Sequence, residues 1–382
     1  MPEMTSRERV LAAIRRQPVD HVPCVPNFNP LRAVQRKGVW NFPWAEDASN
    51  EERIRYLIEE LGTDTVVNTG AGLVRPHPDV TEKTWVEGDV LHKTYSTPAG
   101  DLHASMDYNE MWPYGEEIPF YSDFNVGHVV EPWLENEADL ECFKYVQRVA
   151  DDADTVARAR EELKNARALA DRYGIAVQAS CGTGLTGAQQ LFGADRLCLM
   201  VMDNPDLVDA YLEYEHSISM RQIEVLGEGN VDAVRRNGFY ETADFYGPQM
   251  LERFLGKRLR AEVEAVHAAG MVASYTIHTG VMPILDYLAG LPFDAYFGID
   301  IAFKDVDLVQ VRDKLAPTKS FYIGPSSTYH IWNGAEPTRQ AVRQVFDVLG
   351  KTGLILAPCV SFHSIMPWES VEAFVEEWKQ LR

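Results

Sequence analysis

The sequence predicts a (β/α)8 TIM barrel carrying an antiparallel β-ribbon insertion. Two observations predict it. From Val22 onward, eight short apolar or alternating stretches read as strands, most of them separated by stretches with helical signals. One of these strands, VASYTIHTG at 272–280, stops at Gly280 and carries His278 at its carboxyl end. Strands alternating with helices form parallel sheets, and parallel barrels collect reactive side chains at those ends. A doubly wound open sheet is the competing architecture.

In order along the chain, Thr5-Ser6-Arg7-Glu8 is a capping box that opens a helix over RERVLAAIRR. VPCVPNFNP (22–30) is a short strand ended by prolines. A helix near 51–61 follows, capped by Ser49 or Asn50 and stopped by Gly62, and then the buried strand DTVVNT at 64–69. Residues 83–109 alternate polar and apolar side chains around turns at Glu87-Gly88-Asp89 and Pro98-Ala99-Gly100-Asp101, the pattern of an antiparallel ribbon. The stretch from there to 133, rich in Pro, Gly and aromatics, reads as a long loop or lid. Together, 83–133 form an insertion in one barrel domain spanning 1–382. Beyond it come helix 153–173, strand 176–181, helices over 185–228, strand 232–237, helix 248–269 and strand 272–280. Helix 282–290, strand 295–300, helix 305–315, strand 320–325, helix 337–349, strand 354–359 and a last helix from 369 complete the pattern.

The totals suit a large core and argue against some partners. The chain has 382 residues, 46% of them hydrophobic. Its 36 basic and 57 acidic residues give a net charge of −21, which opposes binding to nucleic acid or to an anionic membrane. Five cysteines (24, 142, 181, 198 and 359) without a CxxC indicate neither a disulfide framework nor a zinc ribbon. The start, MPEMTSRERV, has no apolar signal core, and no apolar run is long enough to span a bilayer. A soluble, cytoplasmic protein with free thiols is expected, and a homodimer is compatible with the sequence.

In the barrel register, the strand ends carry Asn27 with Phe28, Asn68, Cys181, Asn237, His278, Asp300, Pro325 and Cys359. Nearby loops add Tyr240, Glu241, Asp244, Tyr329, His330, Trp332 and His363. Imidazole, thiolate and carboxylate together are zinc-ligand chemistry, and three protein ligands with one open position make such a metal catalytic. The plainer alternative is packing: a buried cysteine usually behaves as a small hydrophobe, and a strand-end histidine as a hydrogen-bonded core residue. His278 with Cys359 is the stronger signal, because both fall on strand ends of one barrel. Trp332 and its neighbours in YHIWNG are candidates to line an apolar pocket. Gly182-Thr-Gly184-Leu-Thr-Gly187 fits GxGxxG, but CLMVMDNPDLVDAY reads as helix rather than as the second strand a dinucleotide site needs. It is therefore expected to be a tight strand-to-helix turn.

TSRERVLAAIRRQPVDHVP, GTGLTGAQQLFGADRLCLMVMDNPDLVDAYLE and GLILAPCVSFHSIMPWESVEAFVEEW resemble the opening, middle and closing segments of the uroporphyrinogen decarboxylase-like superfamily. The resemblance covers nearly the whole chain and implies a (β/α)8 barrel. It implies one of two chemistries. True decarboxylases of the family carry an arginine-rich RQAGRY-type segment after the first strand; here NFNPLRAVQRKG stands there, with Arg32 and Arg36 but without the motif. The other branch is similar in its closing cysteine and strand-end histidine. Its members are zinc-dependent methyltransferases that move a methyl group between a small donor or acceptor and the cobalt of a corrinoid protein or cobalamin. Carried over residue by residue, His278 and Cys359 are its metal ligands. Thr279 and Gly280 stand where a further cysteine is expected, leaving Glu241, Asp300 or His363 to supply a third ligand, with Glu241 favoured. The resemblance thus implies Zn2+ on His278, Cys359 and Glu241, with Asn27, Phe28, Asn237 and Trp332 against substrate. Asp300, Tyr240 and His330 join His278 as acid–base candidates. The alternative is a cofactor-free decarboxylase or lyase, with Asp300, His330 or Tyr240 as proton donor and Arg32 or Arg36 as anion clamp.

Overall fold

The computed structural model describes residues 3–30 and 39–382, so Arg32 and Arg36 lie outside the described residues. Seven parallel strands stand side by side in chain order: Val66–Thr69, Ala176–Ser180, Ala233–Asn237, Val272–Thr276, Ala295–Phe297, Ser320–Ile323 and Leu354–Leu356. The segment around Cys24 closes the circle. Cys24 bridges Leu356 in parallel, and on its other side its carbonyl accepts from Asp64 N at 2.8 Å. The expected strand at 22–30 is thereby reduced to a bridge, because Pro23 and Pro26 have no N–H to offer a ladder. Just beyond, Phe28–Asn29 pairs in parallel with Phe362–His363.

Alternation along the strands sorts side chains into two cores. Inward-facing Ala233, Val272, Ala295, Phe297, Tyr322 and Ile355 pack on Val10, Ala13 and Ile14 of helix Ser6–Ile14, which stoppers the amino-terminal end of the barrel. The expected capping box starts that helix. Its Arg9 holds it in place: Nε and Nη2 donate to the two carboxylate oxygens of Asp20 at 2.6 and 3.0 Å, and Nη1 donates to Asp64 at 2.6 Å. Outward-facing residues such as Ala273 and Tyr275 join the larger core beneath the surrounding helices. With its bottom plugged, the barrel leaves its carboxyl-end mouth as the place for chemistry.

Between strands Val66–Thr69 and Ala176–Ser180 lies the ribbon: Thr81–Glu87, Val90–Thr97 and Gly100–Asp107, antiparallel and in register, joined by a fourth strand, Val129–Glu131. The stretch after 109 is thus more ordered than a plain loop. Ser122 caps a short helix, Asp123–His128, that leads into that fourth strand. Pro and aromatic content masks so brief an element in the sequence. No helix among the described residues is long and apolar enough to cross a membrane.

Candidate active site

Two strand ends deliver His278 and Cys359 to one spot. Both reach the carbonyl of Gly298, just past the intervening strand: Cys359 Sγ donates to it at 2.7 Å and His278 Nδ1 at 2.7 Å, and Sγ lies 4.0 Å from Nδ1. The close approach requires glycine. A Cβ on Gly298, whose φ is +83°, would stand 2.6 Å from His278 Cε1. A carbonyl can only accept, so the Gly298 bond fixes the proton on Nδ1 and leaves the lone pair of Nε2 free. Nε2 is buried and has no hydrogen-bond partner among the described residues. Burial pulls the imidazolium below its usual range, against the opposing pull of the Gly298 carbonyl and of Asp300. Burial likewise pushes the Cys359 thiol far up. Asp300 is tied next to them, its N–H donating to His278 O at 2.9 Å and its carboxylate accepting from Ser326 Oγ at 2.9 Å.

The remaining expected site residues divide. Asn27 donates to Val360 O at 3.0 Å and to Ser361 Oγ at 2.8 Å, beside Cys359. Phe28 stacks on Phe362 and meets Phe42 and Trp44 edge-on. His330 accepts from Ser326 N through Nδ1 at 3.0 Å, and the same Asp300 opposes the lowering of its imidazolium by burial. Tyr240 donates to Asp123 of the insertion at 2.9 Å, which fastens that segment to the barrel. Asn237 stands at its strand end, its N–H on Gly182 O at 3.2 Å. Trp332 packs against the outer core rather than lining the mouth cavity described below.

Glu241 requires correction. Its carboxylate does not turn to the His278–Cys359 pair. Oε1 accepts from Leu185 N at 2.8 Å in the first turn of helix Gly184–Phe192, and the Tyr275 hydroxyl donates to Oε2. Arg236 Nη2 lies 3.7 Å away. The helix amino terminus attracts a carboxylate, and the chain supplies its own. This also explains the GxGxxG turn: a Cβ on Gly184 would collide with Glu241 and Arg236. Among the described residues, no third His, Cys, Asp or Glu donor lies within 4.8 Å of both His278 and Cys359; the one such trio is His92, His103 and Glu131 on the ribbon. There the two imidazoles stack at 22°, with His92 stacked on Trp85, so their in-plane lone pairs run side by side instead of converging.

The barrel mouth also holds residues that sequence reading missed. A cavity of about 150 Å³ opens beside Asn27, between Phe28, Phe42 and Trp44 on one side and Phe297 on the other. Arg235 reaches into it from within the barrel, its Cζ 3.7 Å above the Phe297 ring. The signals were present: Arg235 precedes the strand-end Asn237 by two residues, hence shares its face, and WNFPW at 40–44 is an aromatic cluster just after the first strand. On the adjacent strand, Ser274 Oγ, level with Arg235, and Thr276 Oγ1, two residues nearer the mouth, are buried and, like His278 Nε2, have no partner among the described residues.

A (β/α)8 barrel with buried, unsatisfied polar atoms converging at its carboxyl-end mouth belongs to the enzymes that work at that face. Residues 119–381 match the model of uroporphyrinogen decarboxylase (URO-D), and the chain belongs to that family. Among solved structures, a methyltransferase from Methanosarcina mazei is similar over 99% of both chains, with a TM-score of 0.61 and 16% identity, which supports the fold. A putative vitamin-B12-independent methionine synthase from Listeria monocytogenes matches 58% of this chain and 69% of its own, at 11% identity and a TM-score of 0.42. A B12-independent methionine synthase from Shewanella matches 58% and 66%, at 12% and 0.39. No curated protein matches the sequence.

Proposed function

We propose that the protein is a methyltransferase that exchanges a methyl group between a small substrate and the corrinoid of a separate protein, using zinc held by His278 and Cys359. One observation carries the reading: an imidazole and a thiol from two strands meet at Gly298, and the imidazole keeps its buried Nε2 without a hydrogen-bond partner among the described residues. A metal-binding histidine commonly donates its other N–H to a backbone carbonyl, as His278 does. The donor set suits zinc in softness and supplies two of the three protein ligands of a catalytic site; with Glu241 capping a helix and Asp300 outside reach of the pair, the rest of the coordination falls to substrate or solvent. Bound there, zinc would act as a Lewis acid on the heteroatom that carries, or receives, the methyl group.

The chain's own residues contribute placement and polarity. His278 and Cys359 fix where the heteroatom sits, the Gly298 carbonyl orients both, and Asp300 sets the local charge. The aromatic wall holds the substrate body and excludes water, which strengthens every polar contact inside. The test is anaerobic incubation with reduced cobalamin and a panel of O-, N- and S-methyl compounds. The cobalt spectrum should pass to that of methylcobalamin with at least one donor; a flat spectrum across the panel, together with carbon dioxide release from an unmethylated acid, would replace this reading by the decarboxylase one.

A further inference from the structure

Among the described residues the two buried arginines are matched with acids: Arg9 has Asp20 and Asp64, and Arg236 has Glu262 and Glu241. With 57 acidic residues against 36 basic ones, counter-ions are plentiful. Half-buried Arg235 differs. Its side-chain hydrogen bond is to a neutral group, Gln178 Oε1, at 3.1 Å, and its Nε is buried without a partner among the described residues. Gln178 in turn donates to Asn68 at 3.1 Å, which pins the amide so that its oxygen faces the guanidinium. The guanidinium lies flat on Phe297 at 3.7 Å, with Tyr322 at 5.7 Å. A cation so held is oriented and desolvated, but not neutralised. Burial draws it down to about 10, which still leaves it charged at neutral pH.

We propose that the mouth cavity is a receptor for a ring-sized organic monoanion whose acid group pairs with Arg235 and whose apolar body lies against Phe28, Phe42, Trp44 and Phe297. The planar guanidinium offers Nε and a terminal nitrogen as a fork, the geometry that carboxylates and sulfonates accept. The volume, about 150 Å³, is that of a cavity that holds benzene. Arg235 pairs in register with Ser274, four residues before His278 on the adjacent strand, or about 13 Å of strand. Ser274 and Thr276 face the same lumen on the adjacent strand, between the level of the arginine and that of His278. The anion site stands without the methyl-transfer reading.

Calorimetric titration of the purified protein with benzoate, benzenesulfonate and the neutral isostere benzamide tests this. Either anion should bind at least tenfold more tightly than benzamide, and Arg235→Met should abolish the preference while leaving benzamide binding unchanged. Equal binding of anion and amide, a preference that survives Arg235→Met, or no binding of any of the three overturns the proposal. Should Arg235→Met fail to fold, the wild-type comparison of anion with amide decides alone. Zinc content measured on the same samples keeps the two readings apart, since anion selectivity without zinc would remove the methyltransferase reading and leave this one.

Discussion

Arg235 and Arg236 are neighbours on one strand, and alternation sends them to opposite faces. Arg236 turns out of the barrel into a buried cluster where its Nε donates to Glu262 at 3.0 Å and Glu241 lies at 3.7 Å. Arg235 turns inward, to an amide and an aromatic ring. The outer face neutralises itself and so maintains structure. The inner face leaves a guanidinium, an imidazole nitrogen and two hydroxyls unsatisfied, and so waits for something to bind. Polar groups buried without partners are costly, and the four that line the lumen, on Arg235, Ser274, Thr276 and His278, lie on the strands that lead to the mouth.

That contrast separates the effects of substitution. The largest expected effect is on turnover from the inner face. His278→Ala or Cys359→Ala should reduce methyl transfer by about 10³-fold, the rate equivalent of several kcal/mol of lost charge stabilisation, with little change in melting temperature. Second, Arg236→Met strips the counter-charge from two buried glutamates and should destabilise the fold by about 3–5 kcal/mol in chemical denaturation. Glu241→Gln comes next, at about 1–2 kcal/mol, because a neutral amide caps the helix less well than a carboxylate. Its zinc content should stay that of wild type; a loss of zinc would return Glu241 to the ligand set. Arg235→Met should change stability by less than about 1 kcal/mol, since removing an unpaired buried charge is close to neutral. A loss as large as that of Arg236→Met would dissolve the distinction between the two faces.

A smaller effect should appear only in acid. The bidentate bond from Arg9, aided by the N–H groups of Met4 and His21, holds the Asp20 carboxyl well below its ordinary value of 3.8. Below that pH the unfolded chain binds the extra proton and the folded chain does not. The stabilisation is therefore complete above the ordinary value and is lost as pH falls toward the depressed one. Asp20→Asn should flatten the acid limb of the stability profile; an unchanged limb would show that the barrel stopper is held by other means.

Fold class was legible in the sequence because it is written in repeated, local signals: short apolar strands of three to five residues, capped helices, and Gly or Pro between them. The first strand was overread, since its apolar residues are visible while the cost of two prolines emerges only when the ladder is built. His278 and Cys359 were legible as strand-end residues, because barrel topology brings such ends together whatever their separation in sequence. Glu241 was misread because its partners, Leu185 and Tyr275, are distant in sequence and no local pattern announces a carboxylate that caps another element's helix. Arg235 was passed over because it lies within a strand, where a charge is normally assigned to the solvent side; a parallel barrel has no solvent side, so the charge had to face either the helices or the lumen.

The central claim is that the imidazole of His278 and the sulfur of Cys359 hold one metal ion. Elemental analysis of the protein purified with zinc present, alongside His278→Ala and Cys359→Ala, addresses it most directly. Wild type should retain about one zinc per chain after desalting, and each variant should retain almost none. Equal zinc in all three, or none in wild type, would contradict it.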